Sequence, residues 1–219
     1  MIVHVVDTET TGLGGWTHGD HVVDVGVAEA DTATGTVVPL YSQVVGHDVS
    51  RWSPEQRGAW IFSHSDLTLD DVAGARPAPA VAKELSGILS GRVVTSYNLG
   101  FDLDKFLLHP PWRVEPAVLA PDIMIEAHRV VEGDLWFPDG STSWPRLEKA
   151  YRELCPDDPA GMDGPQAHRA LSDAVQAAHV LLRLVDRGIY PRELPEAKCR
   201  WPPAIRTPSS TQMAGASAS

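Results

Sequence analysis

Asp7 and Glu9 stand at the end of an apolar run, in Val5-Val6-Asp7-Thr8-Glu9-Thr10-Thr11-Gly12. Residues 2–6 are apolar and mostly β-branched, the composition of a buried strand. Side chains two apart on a strand share a face, so both carboxylates project together where that strand ends. Adjacent carboxylates repel each other, and a divalent cation with oxygen ligands relieves the repulsion. Two solvated acids at a strand end would give the same residues, so this motif alone leaves the choice open.

A second group lies in Thr95-Ser96-Tyr97-Asn98-Leu99-Gly100-Phe101-Asp102, where an expected strand passes into a helix. Asp102 there reads either as a ligand or as an ordinary helix-opening acid favoured by the dipole. A third is His168-Arg169-Ala170-Leu171-Ser172-Asp173. On one continuous helix, His168 and Asp173 would point well apart around the axis. They converge if His168 lies on the loop before the helix, and Gly161, Gly164 and Pro165 favour such a loop.

The elements that must carry these groups are readable from hydrophobic periodicity. Strands are expected over residues 2–6, 21–29 and 36–45, with Asp31-Thr32-Ala33-Thr34-Gly35 as a hairpin turn. Short strands follow at 92–96 and 118–120, with helices at 81–89, 102–108, 123–131, 144–154 and 170–187. In the last of these, Leu171, Val175, Ala178, Leu182 and Val185 follow helical spacing, and Gly188 is a natural stop. A three-stranded meander followed by alternating helices and strands reads as an α/β fold with a mixed sheet.

Composition bounds the rest. The chain has 219 residues, 43% hydrophobic and 21% charged, which fits one globular domain. Its formal net charge of −11 argues against a broad basic surface for duplex DNA. A carboxylate cluster that binds cations is compatible with that charge, because the cations reverse the local field. The two cysteines, Cys155 and Cys199, lack metal-site spacing and read as reduced thiols. No secretory segment or membrane span is legible, and a cytoplasmic location is expected. The domain is expected over residues 1–190. Residues 191–219, rich in Pro and ending in Ala/Gly/Ser, are expected to be irregular to disordered.

Taken together, D-T-E-T-T-G, then N-x-x-F-D, then H-x-A-x-x-D resemble the DEDDh (DnaQ-like) 3′→5′ exonucleases, the family that includes the proofreading ε subunit of bacterial DNA polymerase III. The resemblance runs from about residue 2 to 188. It implies an RNase H-like core with a mixed five-stranded sheet, three antiparallel strands then parallel ones. It also implies two Mg²⁺ or Mn²⁺ ions on Asp7, Glu9, Asp102 and Asp173, with His168 as general base. The substrate would be the 3′ end of single-stranded DNA, or alternatively RNA, releasing nucleoside 5′-monophosphates. Thr10, Leu13, His64, Asn98 and Phe101 are the candidate substrate contacts. His64 sits where relatives often carry His-Gly-Ile, but Ser65 and Asp66 follow it here. Asp122 resembles a supporting acid of the family. The C-terminal tail over residues 191–219 reads either as a tether to a polymerase or as inert.

Two other classes compete. A haloacid-dehalogenase-type phosphatase also opens on a strand ending in Asp, but needs Asp where Glu9 stands and leaves the second and third motifs without a role. A non-catalytic binding module on the same fold would be signalled by loss of a metal carboxylate, and all five motif residues are present.

Overall fold

The computed structural model describes residues 1–157 and 168–194. Its centre is a mixed sheet built from six strands: β1 (Ile2–Thr10), β2 (Val22–Asp31), β3 (Thr36–Gly46), β4 (Arg76–Pro77), β5 (Val93–Thr95) and β6 (Val118–Leu119). They lie in the order β4-β3-β2-β1-β5-β6. The first three form the expected antiparallel meander, and β5 and β6 pair in parallel beyond β1. The additional strand, β4, is only two residues long and pairs with the end of β3. It extends the expected five-stranded sheet at its edge without altering the order of the other five.

Helices are α1 (Pro54–Arg57), α2 (Ile61–His64), α3 (Leu69–Gly74), α4 (Ala78–Leu89), α5 (Leu99–Asp102), α6 (Ile123–Ala127), α7 (Leu147–Leu154) and α8 (Ala170–Asp186). The expected helix over 102–108 differs. It begins earlier, capped by Asn98, and continues from α5 as a wider π turn over Leu103–Leu107. The short helices between 54 and 74 escape periodicity, because four to six residues are too few to show a repeating face. No helix among the described residues is long and apolar enough to cross a membrane.

The sheet separates two cores. Val3 and Val5 of β1, with Ala28 and Ala30 of β2, face α8, α7 and α6. Val6, Val25 and Val27 face α4, Leu103 and Phe106 on the other side. Asp7 and Glu9 continue the row of Val3 and Val5, so they emerge on the α8 face.

Cross-strand pairing explains how close α8 comes. Asp7 pairs with Gly26 and Glu9 with Asp24. A Cβ at Gly26 would lie 2.2 Å from the backbone nitrogen of Leu171 and 2.3 Å from the carbonyl carbon of Ala170. Only glycine lets the first turn of α8 rest directly on β2 there. The small residues Ala28 and Ala30 extend the seat. The start of α8 is thereby brought beside Asp7 and Glu9.

Candidate active site

Each element delivers one part of the site. β1 supplies Asp7 and Glu9. Asp102, at the end of α5, is buried and bonded back to β1: its Oδ1 accepts the Thr8 backbone N–H at 3.0 Å and the Thr8 hydroxyl at 2.7 Å. Thr8 points to the opposite face from Asp7 and Glu9, and this pair of bonds fixes the two acids from behind. Asp122 supports the same corner. Its Oδ2 accepts the Leu99 N–H at 2.7 Å, and its Oδ1 caps α6 through Met124 and Ile125.

Asp173 lies in the first turn of α8 and is buried. His168 lies outside the helix, two residues before it, with φ +46°. Few non-glycine residues adopt that left-handed conformation, although histidine is among the more tolerant. The turn brings the imidazole back over the acids. One ligand atom from each of Glu9, His168 and Asp173 lies within 4.8 Å of the others. The continuous-helix geometry that would have separated His168 from Asp173 is therefore absent.

The acids of this cluster crowd one another in a buried setting. Burial, with Asp102, Asp173, Glu9 and Asp24 nearby, raises Asp7 well above the usual carboxylate range. Burial followed by the charges of Asp173, Asp24 and Asp102 pushes Glu9 up to about 8. Burial likewise pushes Asp102 up to about 7, against the lowering effect of its Thr8 hydrogen bonds. His168 moves the other way: burial and the nearby His64 hold its imidazole below the usual range.

The remaining sequence candidates divide. His64 reaches the site through Trp60, whose ring stacks on His64 at 4.1 Å and meets His168 edge-on at 4.7 Å. Leu13 is 77% exposed beyond the end of β1. Thr10 donates its hydroxyl to the Gly12 carbonyl at 2.8 Å and shapes that loop. Asn98 caps α5 by accepting the Phe101 N–H. Phe101 packs edge-on against Phe106, with the Lys105 ammonium 5.6 Å from its ring centre.

Three neighbours were not anticipated: Asp24, Arg169 and Trp60. Asp24 had a legible signal, as an acid in a strand whose alternate residues are all apolar or small. It is fully buried opposite Glu9.

No family model matches the sequence, and no curated protein matches it. Solved structures do. A full-length 3′-exonuclease superposes with a TM-score of 0.62 at 16% identity, covering 93% of this chain and 91% of that one. The nuclease domain of 3′hExo, a DEDDh family member bound to rAMP, gives a TM-score of 0.58 at 17% identity, covering 86% and 93%. E. coli Exonuclease I in complex with a dT13 oligonucleotide gives 0.57 at 18%, covering 84% of this chain and 41% of the other. The chain has the RNase H-like fold of these exonucleases.

Proposed function

We propose that this protein is a metal-dependent 3′→5′ exonuclease that hydrolyses the terminal phosphodiester at the 3′ end of single-stranded nucleic acid. The observation that carries this reading is the meeting of Glu9, His168 and Asp173 within 4.8 Å, beside Asp7 and Asp102. The likeness to exonuclease folds supports it.

The donor set fits divalent cations. Among the described residues, neither the Asp7 nor the Glu9 side chain has a hydrogen bond or an ion pair. Oxygen donors of this kind suit Mg²⁺ or Mn²⁺ rather than metals that prefer sulfur. Asp7, Glu9, Asp102 and Asp173 would hold two ions. When bound, the ions supply positive charge that makes water a better nucleophile and stabilises the leaving 3′ oxygen.

The protein's own groups do the rest. Thr8 holds Asp102 in place, and the Gly26 seat holds Asp173. His168 takes the proton of the attacking water at a ring nitrogen. Its lowered pKa keeps the imidazole unprotonated, and so able to accept that proton, at neutral pH. The exposed Trp60 and His64 rings beside His168 offer an aromatic face on which a terminal nucleoside can rest, and the exposed Leu13 is a second apolar contact beyond the end of β1. The products are a nucleoside 5′-monophosphate and a strand shortened by one residue.

DNA is carried as the leading substrate class and RNA ends as the alternative; contacts to the 2′-OH are what would separate them. The suggested tether to a polymerase lies in the tail over residues 191–219, of which 195–219 are outside the described residues.

Paired substitutions test the roles. Asp7→Ala should abolish cleavage and weaken Mn²⁺ binding measured by calorimetry. His168→Ala should slow cleavage by about 10²–10⁴-fold with Mn²⁺ binding retained. Near-normal turnover by Asp7→Ala would remove the proposed site.

A further inference from the structure

Arg169 stands between His168 and the first residue of α8, and the hydrolysis proposed above gives it no task. Its guanidinium reaches in two directions. Nε donates to Asp24 Oδ2 at 2.8 Å, and Nη1 donates to Asp66 Oδ1 at 3.0 Å.

The Asp24 arm is buried. Asp24 Oδ2 also accepts the Ala170 backbone N–H at 3.3 Å, so one carboxylate grips both Arg169 and the start of α8. Asp24 is a costly choice for that place. It is fully buried, lies opposite Glu9 in a cluster already crowded with acids, and its Oδ1 has no hydrogen-bond partner among the described residues. A neutral residue would relieve that repulsion. The ion pair fixes the backbone just after the left-handed turn at His168: Arg169 is extended, with φ −123° and ψ 126°.

The Asp66 arm lies at the surface. The Asp66 side chain is 78% exposed, and an ion pair there adds little to stability. It does join two parts of the site. Asp66 follows His64 by two residues, on the segment whose Trp60 ring meets His168. A planar fork can satisfy two separate acceptors in fixed directions, which a lysine ammonium on a flexible stem does not.

We infer that Arg169 is a positioning residue for this proposed hydrolysis. Anchored on Asp24, it holds the backbone that turns His168 over the acid cluster. Through Asp66 it keeps the Trp60 and His64 wall against the same imidazole. The inference rests on the exonuclease reading for its catalytic consequence, while its structural content stands apart from turnover.

The test uses the full chain with Arg169→Ala, Arg169→Lys and Asp66→Ala, with two readouts. The first is steady-state cleavage of a labelled oligonucleotide in Mn²⁺, below the melting temperature of every variant. The second is ¹³C–¹H NMR of the His168 ring, identified by the signal lost in His168→Gln. Arg169→Ala, which breaks both arms, should lower kcat by about tenfold or more and raise KM about threefold, and the His168 ring should gain picosecond–nanosecond mobility. Arg169→Lys should recover only part of kcat. Asp66→Ala, which removes a surface group without stranding a buried charge, should raise KM about threefold at constant melting temperature.

A kcat within twofold of the parent, or a His168 ring as ordered as the parent's, would overturn the inference. So would an unchanged KM in Asp66→Ala for its second arm. Should the parent protein cleave nothing, the exonuclease reading fails alone, and the NMR comparison still decides whether Arg169 orders His168.

Discussion

Asp7, Glu9 and Asp102 keep their protons to higher pH than isolated carboxylates, because burial and mutual repulsion penalise their charged forms. In the unfolded chain they titrate near about 4. Between that value and about 7 to 8, the folded protein holds protons that the unfolded chain has released. Their contribution is therefore fully present below the unfolded values and is lost as pH rises through the folded ones. Metal-free protein should melt at a higher temperature at pH 5.5 than at pH 8, and Glu9→Gln should flatten that difference. Mn²⁺ should raise the melting temperature more at pH 8, since the ion binds the deprotonated acids. Equal melting temperatures at both pH values in EDTA, for the parent and for Glu9→Gln alike, would contradict this electrostatic description.

At the scale of elements, the decisive contact is the seat of α8 on β2. Gly26→Ala would force the new methyl into the backbone of Ala170 and Leu171. Since backbone cannot step aside as a flexible side chain does, the cost should be about 1–3 kcal/mol or more. Cleavage should fall as well, because Asp173 and His168 ride on that turn. Urea denaturation measures the first effect and steady-state cleavage the second; an unchanged denaturation midpoint would show that α8 does not rest there. This scale also marks where sequence reading stops. Asp7 and Glu9 were legible because strand geometry is local, with side chains two apart on one face. The α8 span was legible from its long apolar repeat. His168 was legible only as a condition, that it lie off the helix, because a single left-handed residue leaves no periodic trace. Asp24 and Arg169 went unread as a pair because 145 residues separate them, and only the folded sheet makes them neighbours. Asn98 caps α5.

Across the whole molecule, the net charge of −11 sets how nucleic acid is held. Arg169 is committed to two acids, and Lys105 donates to the Leu13 carbonyl. Binding should therefore depend on the metal ions and on contacts to the terminal nucleotide rather than on a long charged track. For single strands, the slope of log affinity against log salt is about −0.7 per phosphate neutralised. With about three such contacts or fewer, the slope of log(1/KM) should be no steeper than about −2. A slope of about −5, measured from 50 to 200 mM salt, would instead reveal an extended basic path and contradict this expectation. The choice between DNA and RNA belongs to this scale too. The motifs specify how a phosphodiester is attacked but not which sugar lies beside it.

The central claim is the reaction and its direction. Single-stranded DNA and RNA of one sequence, labelled at either the 3′ or the 5′ end, should be digested with Mg²⁺, Mn²⁺ or EDTA. Immediate metal-dependent release of the 3′ label as a mononucleotide is expected, with a descending ladder from the 5′ label and no cleavage in EDTA. Internal cuts, loss of the 5′ label first, or no cleavage of either polymer by folded, metal-loaded protein would contradict it.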